Sequence, residues 1–248
     1  MITTVFALQY QFQWSILWSG RYGVWLLEGI LTTLEISALA WLLAAMLGGL
    51  FGALRTSPAR GLRGVATAYV EFFRNVPLLV WMFFWYFGVP QVLPPGVQDW
   101  LNRHGGEFVA AVAALGVYHG ARLAEVVRAG IQSIPPTQLE AAVSTGLTVR
   151  QAYRLILVPI AFRLIIPPVT NESLNLLKNS SLALTISVAE ITFVTRQIES
   201  YTAKGFEALT AGTLIYLALC LGIAALMSRV ERRLAIPGLI VRTAGAEH

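Results

Sequence analysis

Charged residues are scarce in this chain of 248 residues. They account for 12% of it, against roughly 25% in soluble domains, while hydrophobic residues account for 56%. The sequence also has only one cysteine, Cys220, which excludes an intrachain disulfide and a metal cluster held by cysteines. So low a charge content predicts that lipid rather than water surrounds most of the folded chain.

The sequence patterns of common catalytic sites are missing as well. The chain has no G-x-x-x-x-G-K-[ST] loop for nucleotide phosphates, no H-E-x-x-H and no G-x-S-x-G. No other group of a nucleophile or metal ligands stands out in the apolar runs. We therefore predict that the chain is not an enzyme and has no cofactor or metal site of its own. Any source of energy must be another polypeptide.

The positive charge of the chain, a formal +5, does not point to nucleic acid. The arginines lie at the edges of apolar runs, where basic residues control the orientation of a membrane protein. We therefore predict no nucleic-acid partner and interpret the basic residues as markers of topology.

Long apolar runs are what the sequence has in abundance. About 20 apolar residues suffice for a helix to cross the roughly 30 Å hydrocarbon core. We predict an all-α integral membrane protein with a transmembrane domain over 24–230. Its five spans are predicted at about 24–54, 65–89, 108–130, 156–177 and 208–227. The aromatic residues of 1–23 favour an interfacial segment on the outer side, and 231–248 form a tail.

Basic residues are divided unevenly between the two sides of this arrangement. One side has five: Arg21, Arg103, Lys178, Arg196 and Lys204. The other has nine: Arg55, Arg60, Arg63, Arg150, Arg154, Arg229, Arg232, Arg233 and Arg242. Because the more basic side is normally cytoplasmic, we expect the N-terminus outside the cell and the C-terminus inside.

The first two predicted spans contain polar residues that are costly in lipid. Glu35 lies deep in the first span, and we interpret it either as a contact between subunits or as part of a translocation path. In the second span Arg74 precedes Pro77. Since proline removes a helix hydrogen bond, Pro77 predicts a kink or a broken turn. Both residues are candidates for the translocation path.

The next two spans add further polar residues. Asn171, Glu172 and Asn175 lie within one and a half turns of the fourth span. They indicate a polar path for a substrate, although contacts with a second subunit explain them about as well. His119, in the third span, has no second histidine or cysteine nearby and therefore favours helix packing over a metal site.

The polar segment 133–155, between the third and fourth spans, carries its own helix signals. Pro135 and Pro136 suit the first turn of a helix, and Gly146 stands where a left-handed C-terminal cap falls. Thr148 and Gln151 then form the pattern of a capping box. We therefore predict two short helices joined at Gly146.

This segment resembles the EAA loop of ABC importer permeases. That family's pattern is E-A-A, three residues, G, nine residues and I-x-L-P. Here the pattern is Glu140-Ala141-Ala142, Gly146 and Ile156-Leu-Val158-Pro159, with Val158 in place of the usual leucine. The resemblance implies a cytoplasmic coupling helix that docks on an ATPase through Glu140, Ala141, Ala142, Gly146 and Pro159.

The resemblance extends over about 25–238 and is strongest to the polar amino-acid branch, within it to glutamate/aspartate permeases. It is carried by Y-V-E-F-F-R-N-V-P at 69–77, by G-L-T-V-R-Q-A-Y-R at 146–154 and by V-E-R-R at 230–233. It implies the five-helix fold of type I importer permeases, located in the bacterial inner membrane. Glutamine, basic or other polar amino acids are alternative substrates. A secondary transporter is an alternative class, but it usually shows internal repeats and more spans.

The same resemblance implies several partners. They are a dimer of ATPase subunits, which binds the ATP and magnesium, a second permease subunit, homologous or identical, and a periplasmic amino-acid-binding protein. Lipid surrounds the assembly.

Overall fold

A computed structural model describes residues 10–234, and within this range it contains helices and turns but no strand. A 3-10 helix (Trp14–Leu17) precedes eleven α-helices. These are α1 (Arg21–Arg55), α2 (Arg60–Arg74), α3 (Leu78–Phe83), α4 (Val89–Val92), α5 (Pro95–Arg103), α6 (Gly106–Gln132), α7 (Pro136–Ser144), α8 (Val149–Ala152), α9 (Val158–Asn179), α10 (Ile191–Thr202) and α11 (Gly205–Leu234).

The pairing of α1 with α6 forms the centre of the bundle and is the largest helix contact in the described chain. Small residues allow the two backbones to approach closely. A methyl group added at Gly48 would lie 2.5 Å from Cβ of Leu123, and one at Gly52 would lie 2.6 Å from Cβ of Val127. The rest of this core is apolar and includes Ile36, Ala40, Ala44, Ala114 and Leu115.

The second predicted span is broken, as Pro77 predicts. α2 ends at Arg74, and α3 begins after Pro77. The axis of α2 and that of the helical stretch Leu78–Val92 differ in direction by 98°. A π-helical stretch, Phe84–Gly88, joins α3 to α4. By length and apolarity, four described helical segments can cross a membrane, or five if the bent pair counts as one span.

The other spans run longer than their sequence signals. The first and last occupy Arg21–Arg55 and Gly205–Leu234, so residues 231–234 belong to α11 rather than to a separate tail. Residues 1–9 of the predicted outer segment lie outside the described range. Residues 235–248 of the predicted tail lie outside it as well. The described part packs Ile16 and Leu17 into a second apolar cluster with Leu26, Val194, Ile198 and Ala208.

Candidate functional site: coupling segment and buried polar network

The coupling segment begins as its prolines predict. Pro135 precedes α7 with an extended backbone, and Pro136 occupies the first turn, where no intrahelical partner for an N–H exists. At the other end Gly146 adopts a left-handed conformation with φ of +89°. Its N–H donates to the Val143 carbonyl (2.9 Å), and the Leu147 N–H donates to the Ala142 carbonyl (3.3 Å). The left-handed cap predicted at Gly146 is confirmed.

The predicted capping box is also present. The Thr148 N–H donates to Oε1 of Gln151 (2.9 Å), and the Gln151 N–H donates to Oγ1 of Thr148 (3.3 Å). The helix that starts here is not a second short one, however. α8 continues through a π-helical stretch, Tyr153–Leu157, into α9, so that Val149–Ile186 is one helical segment of 38 residues. Pro159 therefore stands within this helical segment, near the start of α9.

The three residues of the E-A-A triplet differ in burial. Ala142 is buried, whereas Glu140 and Ala141 are exposed on α7. Between α7 and the ends of its neighbouring helices lies a cavity of about 420 Å³ with an apolar wall that includes Ile131, Leu139, Tyr153, Leu157 and Ala161. α7 thus rests on the bundle by one side and leaves its other side, with Glu140, exposed.

A charged cluster links the C-terminal ends of α1 and α2 to the C-terminal part of α6. Glu125 accepts hydrogen bonds from Arg55 and from Arg128, and Nη1 of Arg74 lies 3.7 Å from its Oε2. Arg74 thus meets Glu125 and not the polar residues of the fourth span. This cluster fixes the end of α2 immediately before the break at Pro77.

Glu172 is buried in a polar network between α6 and α9. Nδ1 of His119 and Nε of Arg122 both lie 2.6 Å from its Oε1. Nδ2 of Asn179 lies 3.2 Å from Nε2 of His119. His119 of α6 thus contacts two residues of α9, Glu172 and Asn179. His119 is a packing residue, as its lack of metal-ligating neighbours predicts.

The remaining candidate path residues are more accessible. Asn171 is exposed and Asn175 half-buried, and neither side chain forms a hydrogen bond within residues 10–234. Glu35 is exposed on α1, and Pro77 is exposed at the break. Sequence reasoning did not find the partners of Glu172. The only signal was that His119 and Arg122 are three residues apart and therefore share a face of the third span.

The broken second span, the capped coupling segment and the polar fourth span can now be compared with known proteins. Residues 11–236 match the model of the binding-protein-dependent transport system inner membrane component family. The chain belongs to this family. The family assignment replaces the alternative of a secondary transporter.

Individual relatives agree with the family. The chain is 42% identical to the glutamate/aspartate import permease protein GltJ of Escherichia coli K12 over 221 residues, which is 88% of this chain and 90% of that protein. It is 36% identical to the probable glutamine ABC transporter permease protein GlnM of Bacillus subtilis 168, over 84% of this chain and 92% of that protein. A solved structure of an amino acid ABC transporter with histidines is similar with a TM-score of 0.78 and 30% identity, covering 90% of this chain and all of that one.

These likenesses identify the chain as a permease of an ABC amino-acid importer with the type I importer fold, a transport component and not an enzyme. Within residues 10–234, no group of three or more His, Cys, Asp or Glu side chains could hold a metal ion.

Proposed function

We propose that this permease transports glutamate and aspartate. The observation that supports the proposal best is the 42% identity to a glutamate/aspartate import permease over 88% of the chain. The 36% identity to a probable glutamine permease makes glutamine the second candidate. Basic and other polar amino acids are further candidate substrates.

The proposed assembly contains four kinds of component besides lipid. The chain pairs with a second permease, homologous or identical, and receives substrate from a periplasmic binding protein. An ATPase dimer binds the ATP and magnesium and docks on α7. Docking at this face is supported by the exposure of Glu140 and Ala141. In the proposal, the buried Ala142 and the turn at Gly146 hold α7 against the bundle. Pro159, on the helix that continues from the hairpin, completes the proposed coupling group.

The proposed orientation places the N-terminus outside the cytoplasm. In this orientation α7 and the Glu125 cluster are cytoplasmic, and the 3-10 helix Trp14–Leu17 lies at the outer interface. The exposed Trp18 and Phe12 support an interfacial position for this helix, because aromatic rings are enriched where lipid meets water.

Transport in this proposal links two equilibria. ATP closes the ATPase dimer, and the access state of the permease changes because the two states differ in affinity for nucleotide and substrate. In this proposal Asn171, Glu172 and Asn175 of α9 contribute to the translocation path. Glu35 and Arg74 are assigned to it only by sequence, and Arg74 has its own partner in Glu125.

Uptake by the reconstituted complex tests the substrate. Vesicles containing both permease subunits and the ATPase, supplied with the binding protein and ATP, are expected to accumulate labelled glutamate and aspartate. Glutamine, arginine and histidine serve as competitors. Import of glutamine or arginine with the acidic pair ignored would contradict the acidic substrate, while leaving the role as an amino-acid permease intact.

A further inference from the structure

Arg21 is an exposed cation at the end of a helix that can cross a membrane. It is the first residue of α1, and the other end of α1 leads to Thr56 in the wall of the cavity beneath α7. The side chain of Arg21 takes part in no ion pair and no hydrogen bond within residues 10–234. A guanidinium has five N–H donors in a rigid, planar arrangement. Arg21 therefore has a full set of donors at the end of α1 that lies away from the coupling segment.

Three aromatic rings lie around this guanidinium. Its carbon Cζ lies 5.3 Å from the ring centre of Tyr22, 5.1 Å from that of Trp25 and 5.2 Å from that of Tyr201. Tyr201 belongs to the last turn of α10, so the cluster joins two helices. A cation within about 6 Å of the centre of an aromatic ring is attracted to that ring. The rings thus hold Arg21 in place without neutralising its charge.

The residues around Arg21 are typical of the boundary between lipid and water. Tyr201 is 59% exposed, and Trp18, shortly before α1, is 74% exposed. Tyr and Trp rings are enriched at the depth of the lipid head groups. The exposed Val24 and Leu27 follow Arg21 on α1 and continue into the apolar surface of the span. The guanidinium of Arg21 therefore lies at the depth of the lipid phosphates.

The carboxylates that the structure describes near this cluster do not pair with Arg21. Glu207 is buried, and Glu199 accepts a hydrogen bond from Arg196 (3.0 Å). Glu28, two turns further along α1, is about 10 Å away along the helix axis. A counter-ion for Arg21 therefore comes from outside the described residues, and lipid phosphates are the anions at its depth.

We propose that Arg21, together with the rings of Tyr22, Trp25 and Tyr201, binds the head group of an anionic phospholipid. Two parallel N–H groups of the guanidinium donate to two phosphate oxygens, a geometry that lysine cannot provide. The rings contact the glycerol and the first carbons of the acyl chains. Phosphatidylglycerol suits the site better than phosphatidylethanolamine, because the ethanolamine ammonium already balances its own phosphate. This site does not depend on which amino acid is transported.

Photocrosslinking in vesicles tests this assignment. The complex of both permeases and the ATPase is reconstituted in phosphatidylcholine vesicles that contain a trace of phosphatidylglycerol with a photoactivatable group near its head, and the crosslinked peptides are quantified by mass spectrometry. Crosslinks are expected on residues 18–25 and on Tyr201. Unlabelled phosphatidylglycerol is expected to compete about fivefold more strongly than phosphatidylethanolamine, since one cation near the membrane surface changes the affinity for an anionic lipid by about that factor.

Arg21→Gln is expected to lower the crosslinking at these residues by the same factor of about five, because it removes the cation. Arg21→Lys is expected to give an intermediate value, since lysine keeps the charge but not the paired donors. Arg196→Gln is the matched control. It removes one positive charge from α10, where Arg196 is already bound by Glu199, and it is expected to stay within about twofold of the unmodified complex because salt screens an exposed charge at a distance.

Equal crosslinking of Arg21→Gln and the unmodified complex would overturn the assignment. Equal competition by the two lipids would overturn it as well, as would competition by inorganic phosphate as strong as that by phosphatidylglycerol. A further contrary result is unchanged lipid crosslinking in Arg21→Gln with loss of the ATP hydrolysis that the binding protein stimulates, since Arg21 would then contact an acidic surface of that protein. Should Arg21→Gln fail to fold, Arg21→Lys decides, and crosslinking equal to that of the unmodified complex would contradict the proposal.

Discussion

Gly146 shows how a single backbone angle determines the shape of the coupling segment. Its φ of +89° is a conformation that a β-branched residue adopts poorly, at a cost of about 1–2 kcal/mol. We expect Gly146→Val to leave the spans inserted but to displace α7 relative to α8. Copurification of the ATPase, or substrate-stimulated ATP hydrolysis, should therefore decrease.

Gly146→Asn provides the control at the same position, since asparagine tolerates left-handed backbone better than other side chains do. No atom lies within 4 Å of a Cβ atom added here, so a clash at Cβ does not distinguish the two substitutions, whereas backbone strain does. Normal coupling in the valine variant would show that the angle at Gly146 is not required.

Glu172 is expected to matter for stability as well as for the proposed path. Glu172→Ala removes the shared partner of the buried His119 and of the partly exposed Arg122, and leaving a buried hydrogen-bonding group without its partner costs roughly 1–3 kcal/mol. The thermal unfolding midpoint of the purified complex measures the effect. Glu71→Ala is the control, because Glu71 is exposed and 3.9 Å from Arg55, a pair expected to contribute about 0–1 kcal/mol. Equal midpoints for the two variants would contradict a structural role for the network.

At this scale, the sequence predicts features formed by neighbours in the chain. The Gly146 cap and the Thr148–Gln151 box depend on residues three to five apart, and both are present as predicted. The network around Glu172 joins residues about 50 positions apart. One sequence contains no signal for such a distant pairing beyond the shared face of His119 and Arg122, so the network was missed.

Among the elements, the contact of α1 with α6 depends on glycines that face the partner helix. Gly52→Ala is expected to lower the unfolding midpoint, because the new methyl group would lie 2.6 Å from Cβ of Val127 and 2.9 Å from the Ala124 carbonyl oxygen. Gly49→Ala is the matched control on the same helix, since no atom lies within 4 Å there. Overpacking costs typically 1–3 kcal/mol. A midpoint for Gly52→Ala equal to that of Gly49→Ala would mean that the helices separate without cost.

The break in the second span was predictable, but its angle was not. Pro77 removes one hydrogen bond and so marks the position of the break. The bend of 98° also depends on what holds the two ends. Arg74 lies near Glu125 before the break, and Trp81 is buried in the α1–α6 core after it. Both contacts are tertiary, and the π-helical stretches likewise lack a signal that we recognised in the sequence.

For the whole molecule, topology is the prediction that remains to be measured. Reporter domains fused at Arg60, Arg150 and Arg242 are expected to be cytoplasmic, because they follow the basic ends of the spans. Fusions at Gly96 and Tyr201 are expected to be exported. A cytoplasmic reporter at Gly96 would contradict the orientation.

The fold class was predictable because lipid restricts the possible structures. A backbone that cannot hydrogen-bond to water must form helices or closed barrels, and apolar runs of this length indicate helices. The exact ends were less certain. α1 and α11 continue past the apolar runs into polar residues such as Arg21 and Arg233, where water can satisfy the backbone and hydrophobicity no longer marks the end.

The continuous helical segment Val149–Ile186 has a mechanical consequence. It starts at the Thr148 cap and passes the candidate substrate residues, so that Val149 and Asn171 are about 33 Å apart along one axis. Between them lie the π-helical stretch and the adjacent Pro167 and Pro168, all places where a helix bends. In the proposed assembly, a displacement of the Val149 end by the ATPase would therefore reach Asn171 partly as a tilt of this helix. In that proposal, the bending stiffness of this one helix limits how far the path opens.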